Sequence, residues 1–273
     1  MNRSIALLVF CVLYFNVCVC ESSEPPQDAD VCDSNCVCEP LDPLPNAYLF
    51  DDFNDTFVLN WNILADDPLY WSLDTVPGTL TITTQDGSFT RYRTDYKNIF
   101  LINFPVVQSV DFQVTTCITN FEPYGFWNQA GLTLWVDEDN NFKFVYEYGE
   151  GPPPNNAAKL LFTAARETNG HVIHGWFEAG QEPVKMWLRI TKRGGLYELF
   201  NSRDGISFNP MTVIEPARLT ADNTVPCLDD PLQYIGIFAD NGSSFGAPEV
   251  DASFDFFEFK VLPKEEVRLK WIK

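Results

Sequence analysis

The chain has 273 residues, 45% hydrophobic and 15% aromatic with 23 Phe, a composition that supplies a large core and excludes disorder along the body. Its formal charge of −20 repels phosphate backbones and anionic lipid heads, which makes nucleic acid a poor partner. The length suits one large β-domain with tails, and no second folded domain is expected.

Residues 1–20 read as a secretory signal peptide. Arg3 gives the positive start, and the apolar run from Ile5 to Val19 is too short to span a bilayer before Glu21-Ser-Ser-Glu24 ends it. No second run of spanning length follows, so a secreted, extracellular protein without membrane insertion is expected. Residues 21–47 form a linker rich in proline, acidic residues and cysteine, with Pro25, Pro26, Pro40, Pro43 and Pro45 and no hydrophobic period.

Cleavage after Cys20 leaves Cys32, Cys36, Cys38, Cys117 and Cys227, an odd set in a compartment that favours pairing. The odd thiol is free or joins a disulfide-linked partner, unless earlier cleavage retains Cys20. Cys117 is expected to pair with Cys227, because the body offers neither another partner. Zinc at Cys32-Asp-Ser-Asn-Cys-Val-Cys38 is disfavoured, as no histidine lies near.

From Tyr48 to Leu262, short strand-like runs recur between turn signals such as Pro77-Gly78, Asp86-Gly87, Gly194-Gly195, Asp204-Gly205 and Asn241-Gly242. That pattern, without a convincing amphipathic helix, predicts an all-β fold, a two-sheet antiparallel sandwich. Asn54-Asp-Thr56 and Asn241-Gly-Ser243 are glycosylation sequons, expected on exposed loops if the source is a eukaryote.

Two hairpins are the clearest elements. The first runs through Ala130–Val136, turns at 137–141 and returns through Phe142–Tyr148. Setting Val136 opposite Phe142 puts Ala130, Leu132, Leu134 and Val136 on one face with Phe142, Phe144, Tyr146 and Tyr148. Thr133, Trp135, Lys143, Val145 and Glu147 then share the other. In the second, Met186, Leu188 and Ile190 alternate with Lys185, Trp187 and Arg189 before the tight turn Arg193-Gly-Gly-Leu196. Residues 149–183 and 209–231 break the regularity and read as long loops, the first with one strand or helix near Lys159 to Arg166. Residues 263–273 form a basic C-terminal tail.

Taken in order, Asp51-Asp-Phe53, Trp61, Trp71-Ser-Leu73, Pro77-Gly-Thr-Leu80, Asp111-Phe112, Gln129-Ala-Gly-Leu-Thr-Leu-Trp135, Trp187-Leu-Arg189, Ser202-Arg-Asp-Gly205, Tyr234-Ile-Gly-Ile-Phe-Ala239 and Ala252-Ser-Phe-Asp-Phe-Phe257 form a set. The set resembles the concanavalin A-like domain at the C-terminus of β-xylosidases and its stand-alone relatives. The resemblance covers about Tyr48 to Leu262 and implies a two-sheet jelly roll with a curved face. It does not imply glycosidase activity, since the chemistry of those enzymes sits on a separate propeller domain.

A retaining glucanase needs two carboxylates about 5 Å apart, and glucanases of this fold carry them as Glu-x-Asp-x-(x)-Glu on one strand. No such run occurs; Asp137-Glu-Asp139 is nearest and falls in a turn. His171 and His174 would face opposite sides of a strand. Sugar binding needs less, only aromatic planes and a few charged groups. Trp135, Trp187, Arg189, Lys143 and Glu147 meet that need if both hairpins present one face, with Trp127 a loop residue that belongs to either class. The bland alternative is that the tryptophans are packing beneath a loop. Trp61 and Trp71 read as core. Asp52 on the first strand and Asp255 on the last would hold a structural calcium ion if those strands are neighbours, against a bland reading as solvated carboxylates; no other cofactor is implied. The reading is a secreted, non-catalytic, lectin-like protein that binds polysaccharide or another glycan. An adhesion protein binding another protein and a free-standing glycoside hydrolase are the alternatives.

Overall fold

The computed structural model describes residues 16–19, 37–40, 47–90, 93–104, 110–150, 158–178, 185–211, 224–242 and 246–263. Two compact units divide the chain, Met1–Pro45 and Asn46–Lys273. In the first, strands β1 (Asn16–Val19) and β2 (Val37–Pro40) pair antiparallel with Cys18 opposite Cys38. Cys32, Cys36 and the tail from Lys264 lie outside the described residues.

The second unit holds β3 (Tyr48–Asp51), β4 (Asn62–Leu64), β5 (Trp71–Ser72), β6 (Leu80–Thr83), β7 (Ile99–Asn103), β8 (Phe112–Thr119), β9 (Gln129–Asp137) and β10 (Asn140–Glu150). After these come β11 (Ala158–Thr168), β12 (His171–Glu178), β13 (Lys185–Arg193), β14 (Leu196–Ser202), β15 (Asn209–Pro210), β16 (Thr224–Pro226), β17 (Tyr234–Asp240) and β18 (Asp251–Val261). All described pairings are antiparallel, and no helix occurs among the described residues. One sheet has the order β12-β11-β10-β9-β17-β7-β4. The other runs β15-β14-β13-β8-β18-β6-β5, with β16 added on β14 and β3 on β18. The predicted sandwich is therefore the fold. Residues 149–183 differ from the expected loop: β11 and β12 occupy much of them, since the Lys159–Arg166 run pairs with β10 and then folds back on itself.

Between the sheets lies the main core. Leu132, Leu134, Phe142, Phe144, Tyr146, Ile235 and Ile237 from one sheet meet Val114, Ile118, Leu188, Ile190, Leu199, Phe257 and Phe259 from the other. Trp61 and Trp71 pack against this core around Phe100, as expected. The first hairpin keeps its predicted faces but not its register. Phe142 faces Leu134 rather than Val136, because a tighter turn pairs Asp137 with Asn140 and a bulge between Asn140 and Asn141 skips Val136, one residue each, an even total shift that leaves the side chains on their own faces.

The two sheets differ in what they do with their outer faces. Along β13, buried and half-buried residues alternate as in a sheet with one wet face, whereas β9 is buried at seven consecutive positions. Phe89 and Tyr96 of the β6–β7 connection cover the outside of the seven-stranded sheet, closing a second apolar cluster over Trp135, Val145, Phe238, Ile99 and Leu101. Strand contact there is close. A Cβ on Gly236 would stand 1.8 Å from the Phe100 carbonyl oxygen, so only glycine permits that spacing.

Asp51 explains part of the sequence pattern. Its buried carboxylate accepts the backbone N–H groups of Phe53, Val58 and Leu59 at 3.0 Å and the Trp61 indole N–H at 2.9 Å. One side chain thus folds residues 53–61 back onto the end of β3, and a single lost carboxylate would strand several donors.

Candidate functional site

The outer face of the seven-stranded sheet turns polar at the end away from Phe89. Strand β9 lies between β10 and β17, and the register sets Glu147 opposite Gln129 and Gln129 opposite Asp240. Glu147, Gln129 and Asp240 therefore form one row across three strands, all three buried. The Gln129 carboxamide oxygen accepts Lys143 Nζ at 2.9 Å, and the Thr163 hydroxyl on β11 donates to Glu147 Oε1 at 2.6 Å. Lys143 Nζ also lies 5.5 Å from the Phe89 ring centroid.

Two carboxylates share this site with one ammonium group, and burial disfavours their charged forms. Desolvation pushes the Asp240 carboxyl up to about 7, opposed by Lys143, the Gly242 N–H and the Gln129 amide. Desolvation also raises Glu147, against the Thr163 hydroxyl and Lys143. Asp240 Oδ1 accepts the Gly242 N–H at 2.8 Å, whereas its buried Oδ2 has no hydrogen-bond partner. An unfilled buried carboxylate oxygen is costly, and sites that persist with one commonly serve a ligand or reaction.

Trp127 lies across the row. A Cβ on Gly242 would stand 2.8 Å from Trp127 Cβ and 2.9 Å from Gln129 Nε2; one on Gly149 would stand 3.2 Å from Glu147 Oε1 and 3.4 Å from Trp127 Cζ3. The indole thus reaches from the Asp240 side to the Glu147 side, above two glycines that leave it room. Its backbone is held at φ +70°, a left-handed conformation that a bulky residue seldom adopts. The neighbouring Asn128 enforces it. Asn128 Oδ1 accepts the N–H groups of Tyr124 and Gly125, while Nδ2 donates to Asn241 Oδ1 at 2.6 Å and the Pro248 carbonyl at 2.9 Å. Tyr124 and Phe126 on the same loop are exposed.

The expected binding face is therefore split between two sheets. Trp135, Lys143 and Glu147 share the outer face of the seven-stranded sheet, with Trp127 over one end. Trp135 is only 3% exposed, packed edge-on against Phe89 and Tyr96, which is the bland reading for that residue. Trp187 and Arg189 stand on β13 of the other sheet, because the hairpins pair with different neighbours. There the half-buried Trp187 ring lies 5.1 Å from Lys185 Nζ, and Arg189 stacks 3.2 Å above the Phe208 ring while donating to Thr115. Burial lowers the Arg189 pKa against the pull of Glu258. Asp240 was not singled out from the sequence. The signal for it was the outward parity of Tyr234, Gly236, Phe238 and Asp240 along β17.

Two expectations, the Cys117–Cys227 bridge and the exposed Asn241 loop, are corrected. Cys117 and Cys227 are free thiols. Cys117 is level with Trp187, while Cys227 is bound by its N–H to Gly195 at the far end of the β13–β14 hairpin. Six residues of strand separate those levels, about 20 Å, against the ~7 Å limit between Cα atoms in a disulfide. Asn241 is 1% exposed, with its carboxamide engaged by Asn128 and the Ala247 carbonyl, so this sequon is not the exposed loop expected. Asn54 is exposed. Strands β3 and β18 are neighbours, as calcium binding requires, but Asp52 binds Asn54 and Asp255 pairs with Lys185 at 2.7 Å. Among the described residues no three His, Cys, Asp or Glu side chains gather as a metal site, and no helix is long and apolar enough to cross a membrane.

The fold agrees with a family match. The model of the β-xylosidase C-terminal concanavalin A-like domain matches residues 50–260. The chain belongs to that family. Similar solved structures include the GH43 protein BlXynB from Bacillus licheniformis (23% identity, TM-score 0.60), covering 78% of this chain and 39% of that one. The Bacteroides ovatus xyloglucan-locus protein GH43B (18%, TM-score 0.55) covers 78% and 39%. A xylan β-1,4-xylosidase from Bacillus halodurans (18%, TM-score 0.52) covers 77% and 38%. This chain spans well under half the length of each, and the likeness is one of fold. No curated protein matches the sequence.

Proposed function

We propose that this family member is a secreted, non-catalytic carbohydrate-binding protein whose site is the row Glu147–Gln129–Asp240 beneath Trp127. The observation that carries this reading is the indole held at positive φ across buried carboxylates, one with an unfilled oxygen. An aromatic plane over hydrogen-bonding groups is the arrangement a sugar ring requires, apolar on its C–H face and polar at its edge. In the state described the carboxylates are buried, so the cover over the row must open for a sugar to reach them. Secretion rests on the leader-like residues 1–20. Xylan is the first probe, since two of the similar structures are named for xylan or xyloglucan systems.

A glycan array followed by titration with xylan and β-glucan oligomers tests the proposal. Binding lost in Trp127→Ala, with the melting temperature kept, supports it. Release of reducing sugar that Glu147→Gln abolishes would replace it with the glycosidase reading. The adhesion reading draws on the other sheet, where Tyr48 and Phe50 are exposed and Phe50 stacks on Phe256. Failure to bind any glycan, with capture of a protein through Trp187 and Arg189, would favour it.

A further inference from the structure

The row has more acceptors than donors, and that imbalance constrains the ligand. The Thr163 hydroxyl is spent on Glu147 Oε1, the Gly242 N–H on Asp240 Oδ1, and Lys143 on the Gln129 oxygen, while the Gln129 amide nitrogen faces the Asp240 carboxyl without making a hydrogen bond to Oδ2. Asp240 Oδ2 is left buried and waiting for a donor. An ionised carboxylate only accepts, so what completes this site must bring N–H or O–H groups. The charges facing Asp240 are Lys143 and Glu147 from β10 and, more distantly, Arg93, whose guanidinium is itself paired with Asp95.

We infer that this site, if it binds carbohydrate as proposed above, selects uncharged sugars whose hydroxyls donate to Asp240 and Glu147, and rejects sugars that carry a carboxylate. A uronic acid brings a third negative charge beside two carboxylates and one ammonium. Like charges in a dehydrated site are strongly unfavourable, and an acid group supplies no proton to Oδ2 at neutral pH. A neutral pentose or hexose supplies donors on adjacent carbons, at the spacing of a vicinal diol.

The test is calorimetric titration of the full chain with xylotetraose, cellotetraose and tetragalacturonate at pH 8. The expected result is binding of a neutral tetramer at least ten-fold tighter than the uronate. Asp240→Asn, which puts a donor where the charge was, should narrow that gap to under three-fold without lowering the melting temperature. If that variant fails to fold, Glu147→Gln is measured in its place with the same expectation. Lowering the pH of the wild type from 8 to 6 should weaken neutral-sugar binding as Asp240 takes up its own proton. Uronate bound as tightly as the neutral tetramers overturns the inference and leaves the carbohydrate-binding reading intact. An undiminished gap in the folded variant also overturns it. Binding to none of the three sinks both.

Discussion

Glu147 and Asp240 stand on strands that never touch, yet the register through Gln129 sets them in one row with their carboxylates on the same buried face. Their charges are coupled through Lys143, which faces both.

The first consequence is a pH dependence of stability. The Asp240 carboxyl is raised to about 7 in the folded chain, against an ordinary value near 4 when unfolded. Between those values the folded chain holds a proton that the unfolded chain has released, so stability falls as pH rises through that window and stays low above it. The Glu147 shift has the same sign. Asp204, held at about 2 by the Ser207 and Ile206 N–H groups, contributes oppositely but only below about pH 4. Urea melts at pH 5 and 8 should differ by a few kcal/mol, on the order of 2 to 4, and Asp240→Asn should remove most of that difference.

The two central tryptophans should separate in a melt. Trp135→Ala opens a cavity beneath Phe89 and Tyr96 and should cost about 3 to 5 kcal/mol. Trp187, half-buried on the other sheet, should cost about 1 to 2 kcal/mol when truncated. Equal losses for both would contradict the assignment of the two residues to a covered and an uncovered face.

Asn128 and Asn241 hold one another, and the pair should tolerate neither truncation nor a glycan. Asn128→Ala leaves the Tyr124, Gly125 and Asn241 groups without their partner and should cost about 2 to 4 kcal/mol. The Trp127 loop should then become sensitive to protease. Mass spectrometry of protein made in eukaryotic secretory cells should find a glycan at Asn54 and none at Asn241.

Thiol chemistry gives a separate check. Burial pushes the Cys117 thiol up to about 12, so it should resist alkylation in the folded protein and react once urea unfolds it. Cys227 should also be alkylated after unfolding without reductant. A non-reduced peptide joining Cys117 to Cys227 would refute this arrangement.

The fold was legible because its information is local. Period-two alternation and the Gly194-Gly195 turn define the second hairpin, and the faces of the first survive a slip of two residues because two is even. The site was legible only in part. Lys143 and Glu147 follow from hairpin parity, but Asp240 joins them through a strand about a hundred residues away, and no local pattern announces that pairing. The cover over Trp135 is hidden for the same reason, since Phe89 and Tyr96 come from a connection that reads as a loop. The sequence does not decide Trp127, because its direction depends on Asn128, whose partners Asn241 and Pro248 are remote in sequence. A cysteine count pairs Cys117 with Cys227, but a count carries no distance.

The covering of the seven-stranded sheet on both sides changes how this domain should tolerate variation. In a saturation library scored for folding, β13 should show alternation, permissive at Trp187 and Arg189 and strict at Leu188 and Ile190. Along β9, from Gln129 to Trp135, the alternation should vanish and every position should resist replacement. One half of this sandwich should therefore drift at every second residue, while the other is held nearly fixed along the middle of its central strand.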